Sequence, residues 1–146
     1  MASRIYDFRK ALKDSIVAAG VLTAAQVVVE RQTDIFADID VAVGQEGGIC
    51  LTIAAMSGDH IDPDVSSLIF KTELLLTLWS VVEFDATTRP EESTHQALVE
   101  HVHHLELAGF NGGVPCNRKL KVIRFTDTPD DDYLRRDTVV AANIYF

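Results

Sequence analysis

LIFKTELLLTLWSVVEF, residues 68–84, is the stretch whose reading decides the fold. Leu68, Phe70, Leu74, Leu76, Leu78 and Val82 fall on one side of a period-two pattern. Lys71, Glu73, Thr77 and Trp79 fall on the other. Successive side chains of a strand point to opposite faces, so this is a long strand with one face on a core and the other only partly covered.

A second stretch has the same texture. In YLRRDTVVAANIYF, residues 133–146, Leu134, Thr138, Val140, Ala142, Ile144 and Phe146 share a face. Arg136 interrupts that face, and Arg135, Asp137, Asn143 and Tyr145 lie opposite. Free ends fray unless something ties them down. The run ending in Ile144, Tyr145 and Phe146 is therefore expected to be paired inside a sheet or covered by another subunit. KLKVIRF precedes it, joined through the acidic turn TDTPDDD, which predicts a long hairpin.

The other elements fall around these strands. In SRIYDFRKALKDSIVAAG the apolar residues Ile5, Phe8, Leu12, Ile16 and Ala19 recur at helical spacing, with Ser3 placed to cap the start and Gly20 the end. QVVVE, residues 26–30, is a brief strand or an extended segment. TDIFADIDVAVG fits a helix capped by Thr33 better than a strand. ICLTIAAM reads as a strand, SGDHIDPDVSS as a polar loop, and TTRPEE as a breaker. STHQALVEHVHHLELAG reads as a helix with a Ser93–Gln96 capping box, an apolar seam of Leu98, Val102 and Leu105, and a stop at Gly109. The expected architecture is one α+β domain over residues 1–146: a mainly antiparallel sheet of about four strands with helices packed on one face.

Composition narrows the function. The chain is 47% hydrophobic, which suits a globular domain, and its formal charge of −9 argues against wrapping nucleic acid. The charged start lacks the apolar stretch of a signal peptide, and no run reaches membrane-spanning length, so a cytoplasmic origin without membrane contact is expected. Cys50 and Cys116 form no metal or redox motif and read as inert thiols.

No catalytic signature stands up. His95, His101, His103 and His104 point in different directions at about 100° per residue. Only His101 with His104, and Glu100 with His104, are helical neighbours, which leaves a weak metal-site alternative at those three residues. Ser57, Asp59 and His60 in SGDH are adjacent in sequence, whereas a nucleophilic triad is a spatial arrangement. The glycines match no phosphate-binding pattern. A non-enzymatic protein without a cofactor is the expectation.

Two charged regions suit contacts with other proteins. Arg135 and Arg136 beside Asp130, Asp131 and Asp132 read either as a hairpin base with cross-strand pairs or as an intersubunit salt bridge. Trp79 is either an interface anchor or a residue under the second helix. Asp59, His60, Asp62 and Asp64 fall in the polar loop from Gly58 to Ser67, read as a docking or lumen-facing segment.

The order of elements resembles the tail-terminator and tail-completion proteins of long-tailed bacteriophages, within the wider set of head–tail joining and neck proteins. The resemblance is carried by IYDFRKALKDSIV, ICLTIAAM, LIFKTELLLTLWSVV, HQALVEHVHHLEL, KVIRF with its acidic turn, and LRRDTVVAANIYF. TDIFADIDVAVG and the EGG turn are not matched to that pattern. The resemblance implies a virion subunit, assembled in the host cytoplasm, that closes into a ring, usually a hexamer. The ring caps the tail tube and docks to head-connector proteins, with no enzymatic role. An acidic ring also suits a conduit through which DNA passes without specific binding. Two other readings remain open: a small metal-dependent enzyme built on the histidine-rich helix, and a non-viral oligomeric binding module.

Overall fold

The computed structural model describes residues 4–29, 48–60, 68–81, 90–107, 119–129 and 133–146. In chain order the elements are α1 (Arg4–Ala18), a 3-10 turn (Ala24–Gln26), β1 (Val27–Val28), β2 (Ile49–His60), β3 (Ile69–Val81), α2 (Pro90–Val102), β4 (Lys121–Pro129) and β5 (Tyr133–Tyr145).

The alternation in residues 68–84 gives the central strand. β3 is antiparallel to β2 on one side and to β5 on the other, and β5 carries β4, so the sheet order is β1-β2-β3-β5-β4. Leu74, Leu76 and Leu78 lie at no more than 3% exposure. They meet Ile49, Leu51 and Ile53 of β2 and Val140, Ala142 and Ile144 of β5 on the same face. Phe8, Leu12 and Ile16 of α1, spaced four apart, close over this face, as do Leu98 and Val102 of α2. Each such side chain contributes about 1.5–3 kcal/mol by leaving water. Both described helices therefore sit on one face, as the pattern required.

The sheet departs from expectation in having five strands and mixed direction. β1 runs parallel to β2, with Val27 opposite Leu51 and Val28 opposite Thr52. Two residues are too short to show a period, and a parallel partner lies far along the chain, across a crossover. Arg9 of α1 donates to the carbonyls of Val29 (3.1 Å) and Ile53 (3.4 Å) just past the end of this short ladder. The reading of TDIFADIDVAVG lies outside the described residues.

α1 ends as its glycine predicts. Gly20 takes φ +76°, its N–H reaches Val17 O (3.0 Å), and the Val21 N–H reaches Ile16 O (3.3 Å), which is the paired pattern of a Schellman cap. The Ser3 cap lies outside the described residues. α2 differs from its reading at both ends. It begins at Pro90, a residue suited to the first helical turn, instead of at Ser93. It ends at Val102, because His104 adopts φ 66° and its N–H turns to Leu120 O at 2.8 Å. The stop is a left-handed histidine, not Gly109.

Ser57–His60 are strand, not loop. A bulge between Ala55 and Ser57 shifts the register, after which Ser57, Gly58, Asp59 and His60 pair with Glu73, Thr72, Lys71 and Phe70. The closing run is tied down within the sheet. β5 is paired on both sides, the Phe146 N–H donates to Leu68 O at 2.8 Å, and the Phe146 ring lies 4.8 Å from that of Phe70.

Candidate subunit-contact site

The hairpin of β4 and β5 sets Asp127 directly opposite Arg136, on the face that α2 covers. Arg136 is the residue that interrupts the apolar face of β5, and α2 supplies what it needs. Its guanidinium grips Asp127 through Nε (2.6 Å) and Nη2 (3.0 Å), and Glu92 through Nη1 and Nη2 (3.1 Å each). The remaining N–H reaches His95 Nδ1 at 3.3 Å, and the plane stacks over Phe125 at 4.8 Å. These carboxylates push the Arg136 pKa up.

His95 is 6% exposed. Its Nε2 lies 3.0 Å from Thr138 Oγ1. Accepting from Arg136 at Nδ1 requires the neutral ring with its proton on Nε2. Burial, and then the Arg136 charge, lower its pKa.

For Arg136 the geometry gives the cross-strand pair of a hairpin base. All five of its N–H groups have acceptors within the chain, so it clamps α2 to the hairpin and has none left for a neighbouring subunit. Arg135 lies on the opposite face. Its Nε meets Asp137 at 3.1 Å, Asp137 also accepts from Thr77 Oγ1 at 2.8 Å, and the guanidinium lies 5.2 Å over Trp79. Among the described residues its terminal nitrogens carry no further bond, and a third of the side chain is exposed, so it still has contacts to offer. Asp130, Asp131 and Asp132 lie outside the described residues.

Trp79 is not under the second helix. It faces away from both described helices, beside Cys50, Val28 and Tyr133, with Nε1 donating to Thr52 Oγ1 at 3.1 Å. At 6% exposure it has little surface for a partner.

The proposed docking loop is shorter than the sequence suggested. Asp59 and His60 are ladder residues opposite Lys71 and Phe70, and His60 stacks on Phe70 at 5.0 Å. Asp62 and Asp64 lie outside the described residues. Pairing also puts Ser57 and His60 on opposite faces of the strand, so SGDH cannot act as one catalytic unit.

The three residues of the metal alternative turn to separate partners. His101 Nε2 meets Ser15 Oγ at 2.9 Å, and Glu100 accepts from Gln96 Nε2 at 2.9 Å. His104, past the helix end, stacks on His103 at 3.9 Å. Their spacing assumed a helix running through residue 104. Among the described residues no three His, Cys, Asp or Glu side chains are grouped to hold a metal ion.

One cluster escaped the sequence reading. Lys71 of β3 and Lys119 and Lys121 at the start of β4 line one open groove with Ile123, Ala141, Ala142 and Asn143. Lys119 and Lys121 are near neighbours in sequence, but Lys71 is far from both, and only the β3-β5-β4 order unites the three. The single available signal was an unexplained lysine on the outer face of β3 and another at the start of β4.

No protein-family model matches the chain, and no curated protein matches it. In three dimensions it is similar to a chain from the virion of a native gene transfer agent particle. The TM-score is 0.58 at 12% sequence identity, and the match covers 94% of each chain. The fold is shared with a virion chain. At that identity the likeness is one of fold alone, and it spans nearly the whole of both chains. Among the described residues no helix is long and apolar enough to cross a membrane.

Proposed function

We propose that this protein is a structural subunit of a phage-like virion, acting at the neck or tail terminus, where copies close into a ring that joins the tail tube to head-connector proteins. The observation that carries the reading is the fold match to a virion chain over 94% of both chains. The shape of the sheet supports it. Among the described residues, β2 past its pairing with β1 and the whole of β4 are sheet edges, and residues 54–59 and 123–128 are exposed along them. Two different edges on one subunit suit a head-to-tail contact, the kind that closes into a ring. In this reading the subunit works by binding, has no catalytic centre, and Arg135 contributes to the contact between copies.

Native mass spectrometry of the purified protein, with a metal assay on the same sample, tests the proposal. A closed metal-free ring, hexameric in the family the chain resembles, is the expected result. A monomer or dimer carrying one metal ion per chain would sink it and favour the histidine-helix enzyme.

A further inference from the structure

The groove between β3, β5 and the start of β4 has a volume of about 150 Å³. Lys71, Lys119 and Lys121 converge on it in a chain whose formal charge is −9. None of the three makes a side-chain hydrogen bond or ion pair among the described residues. Asp59 stands directly across from Lys71, and Glu73 lies one row away, yet neither closes an ion pair with a lysine. Ala141, opposite Lys121 on this outer face, leaves the floor low. The bulge between Val122 and Arg124 swings Ile123 out as a wall, 48% exposed. The His104 pKa is lowered first by His103, then by desolvation, and then by Lys119 and Lys121.

A pocket of unpaired ammonium groups over a small-residue floor fits a short run of carboxylates. The chain carries such a run. Asp130, Asp131 and Asp132 join Pro129 to Tyr133 at the other end of the same hairpin. Lys121 and Pro129, the two ends of β4, are roughly 25 Å apart at about 3.3 Å per residue. Three residues tethered at Pro129 and Tyr133 span at most about 11 Å of chain, too little to reach back to the subunit's own groove. A second copy can fill it, and the contact then uses different patches on the two partners, which is the geometry that closes into rings.

We propose that the Lys71–Lys119–Lys121 groove accepts the Asp130–Asp132 run of a second copy of this chain, and that this contact joins neighbouring subunits. The inference rests on the ring reading above and assigns its contact.

The test is charge reversal on the full chain. The three lysines are exposed, so the triple change Lys71→Glu, Lys119→Glu and Lys121→Glu should leave the circular dichroism spectrum and thermal midpoint close to wild type. The companion triple is Asp130→Lys, Asp131→Lys and Asp132→Lys. Native mass spectrometry and sedimentation should show rings for wild type, a loss of about tenfold or more in association for each triple alone, and rings again for a chain carrying all six changes. Wild-type rings that persist in the lysine triple overturn this contact and leave the ring reading standing. A wild-type chain that stays monomeric overturns both. A short DNA duplex is the second probe. If it binds wild type and not the lysine triple while assembly is unchanged, the groove is a phosphate site and the proposal fails.

Discussion

Arg136 presents five N–H groups, and each has an acceptor: two bonds to Asp127, two to Glu92 and one to His95 Nδ1. The last bond exists only while His95 is neutral. The folded state holds the His95 pKa below its ordinary 6.5, through burial and then Arg136, with Glu92 and Asp127 opposing. The unfolded chain therefore takes up this proton first as pH falls. The contribution of His95 to stability is complete above about pH 6.5 and is lost as pH drops toward the lower folded-state pKa. Urea unfolding from about pH 7.5 to about pH 5.5 should show this loss, and His95→Gln should flatten it. An unchanged slope in the variant would assign the acid sensitivity elsewhere. Arg136→Lys keeps the charge and loses the paired geometry. The carboxylates it grips are 64% and 47% exposed, so the expected loss is modest, about 1–2 kcal/mol by urea unfolding. The sequence marked Arg136 as an interruption of an apolar face. It did not show the partner, because placing the helix start at Ser93 left Glu92 outside the helix.

At the scale of elements, the long alternating strands and α1 were legible because their periods are unbroken over many residues. Boundaries were not legible where a local preference conflicts with a longer-range bond. Ser57, Gly58 and Asp59 favour turns, but the ladder to Thr72 and Lys71 holds them extended. His103 and His104 look helical, but Leu120 O draws the His104 N–H away. Two glycines separate the two situations. Gly20 ends α1 at φ +76° with open space where a Cβ would go, so Gly20→Ala meets backbone strain and no clash. About 1 kcal/mol of stability should be lost. At Gly58 a Cβ would sit 3.6 Å from Thr72 Oγ1 and 3.7 Å from Phe70 Cβ, which is ordinary contact at negative φ. Gly58→Ala should be neutral or stabilising by up to about 1 kcal/mol, chiefly by restricting the unfolded chain. Denaturation midpoints of the two variants on either side of wild type would bear this out. A large loss at Gly58 would mean that this segment is a turn after all.

At the scale of the molecule, periodicity could show that one sheet face is core, but it could not show which lysines the strand order would gather on the other. That depends on β5 lying between β3 and β4, a long-range fact with no local trace. The gathering has a consequence for assembly, because two electrostatic effects then act in opposite directions. Each copy carries −9 overall, so copies repel at long range. The lysine groove and an acidic run attract only at contact. Screening removes the first before the second, since the Debye length is about 10 Å at about 0.1 M salt and about 3 Å at about 1 M. Association should therefore strengthen as salt rises from very low values, pass through a maximum, and weaken toward about 1 M. Sedimentation across that range reads the whole curve. In the lysine-to-glutamate triple variant the attraction is gone and the net charge more negative, so any association left should only rise with salt. A wild-type curve that also rises throughout would mean that apolar contact, through side chains such as Ile123 at the open edge, holds the copies together and that the charges only hinder them.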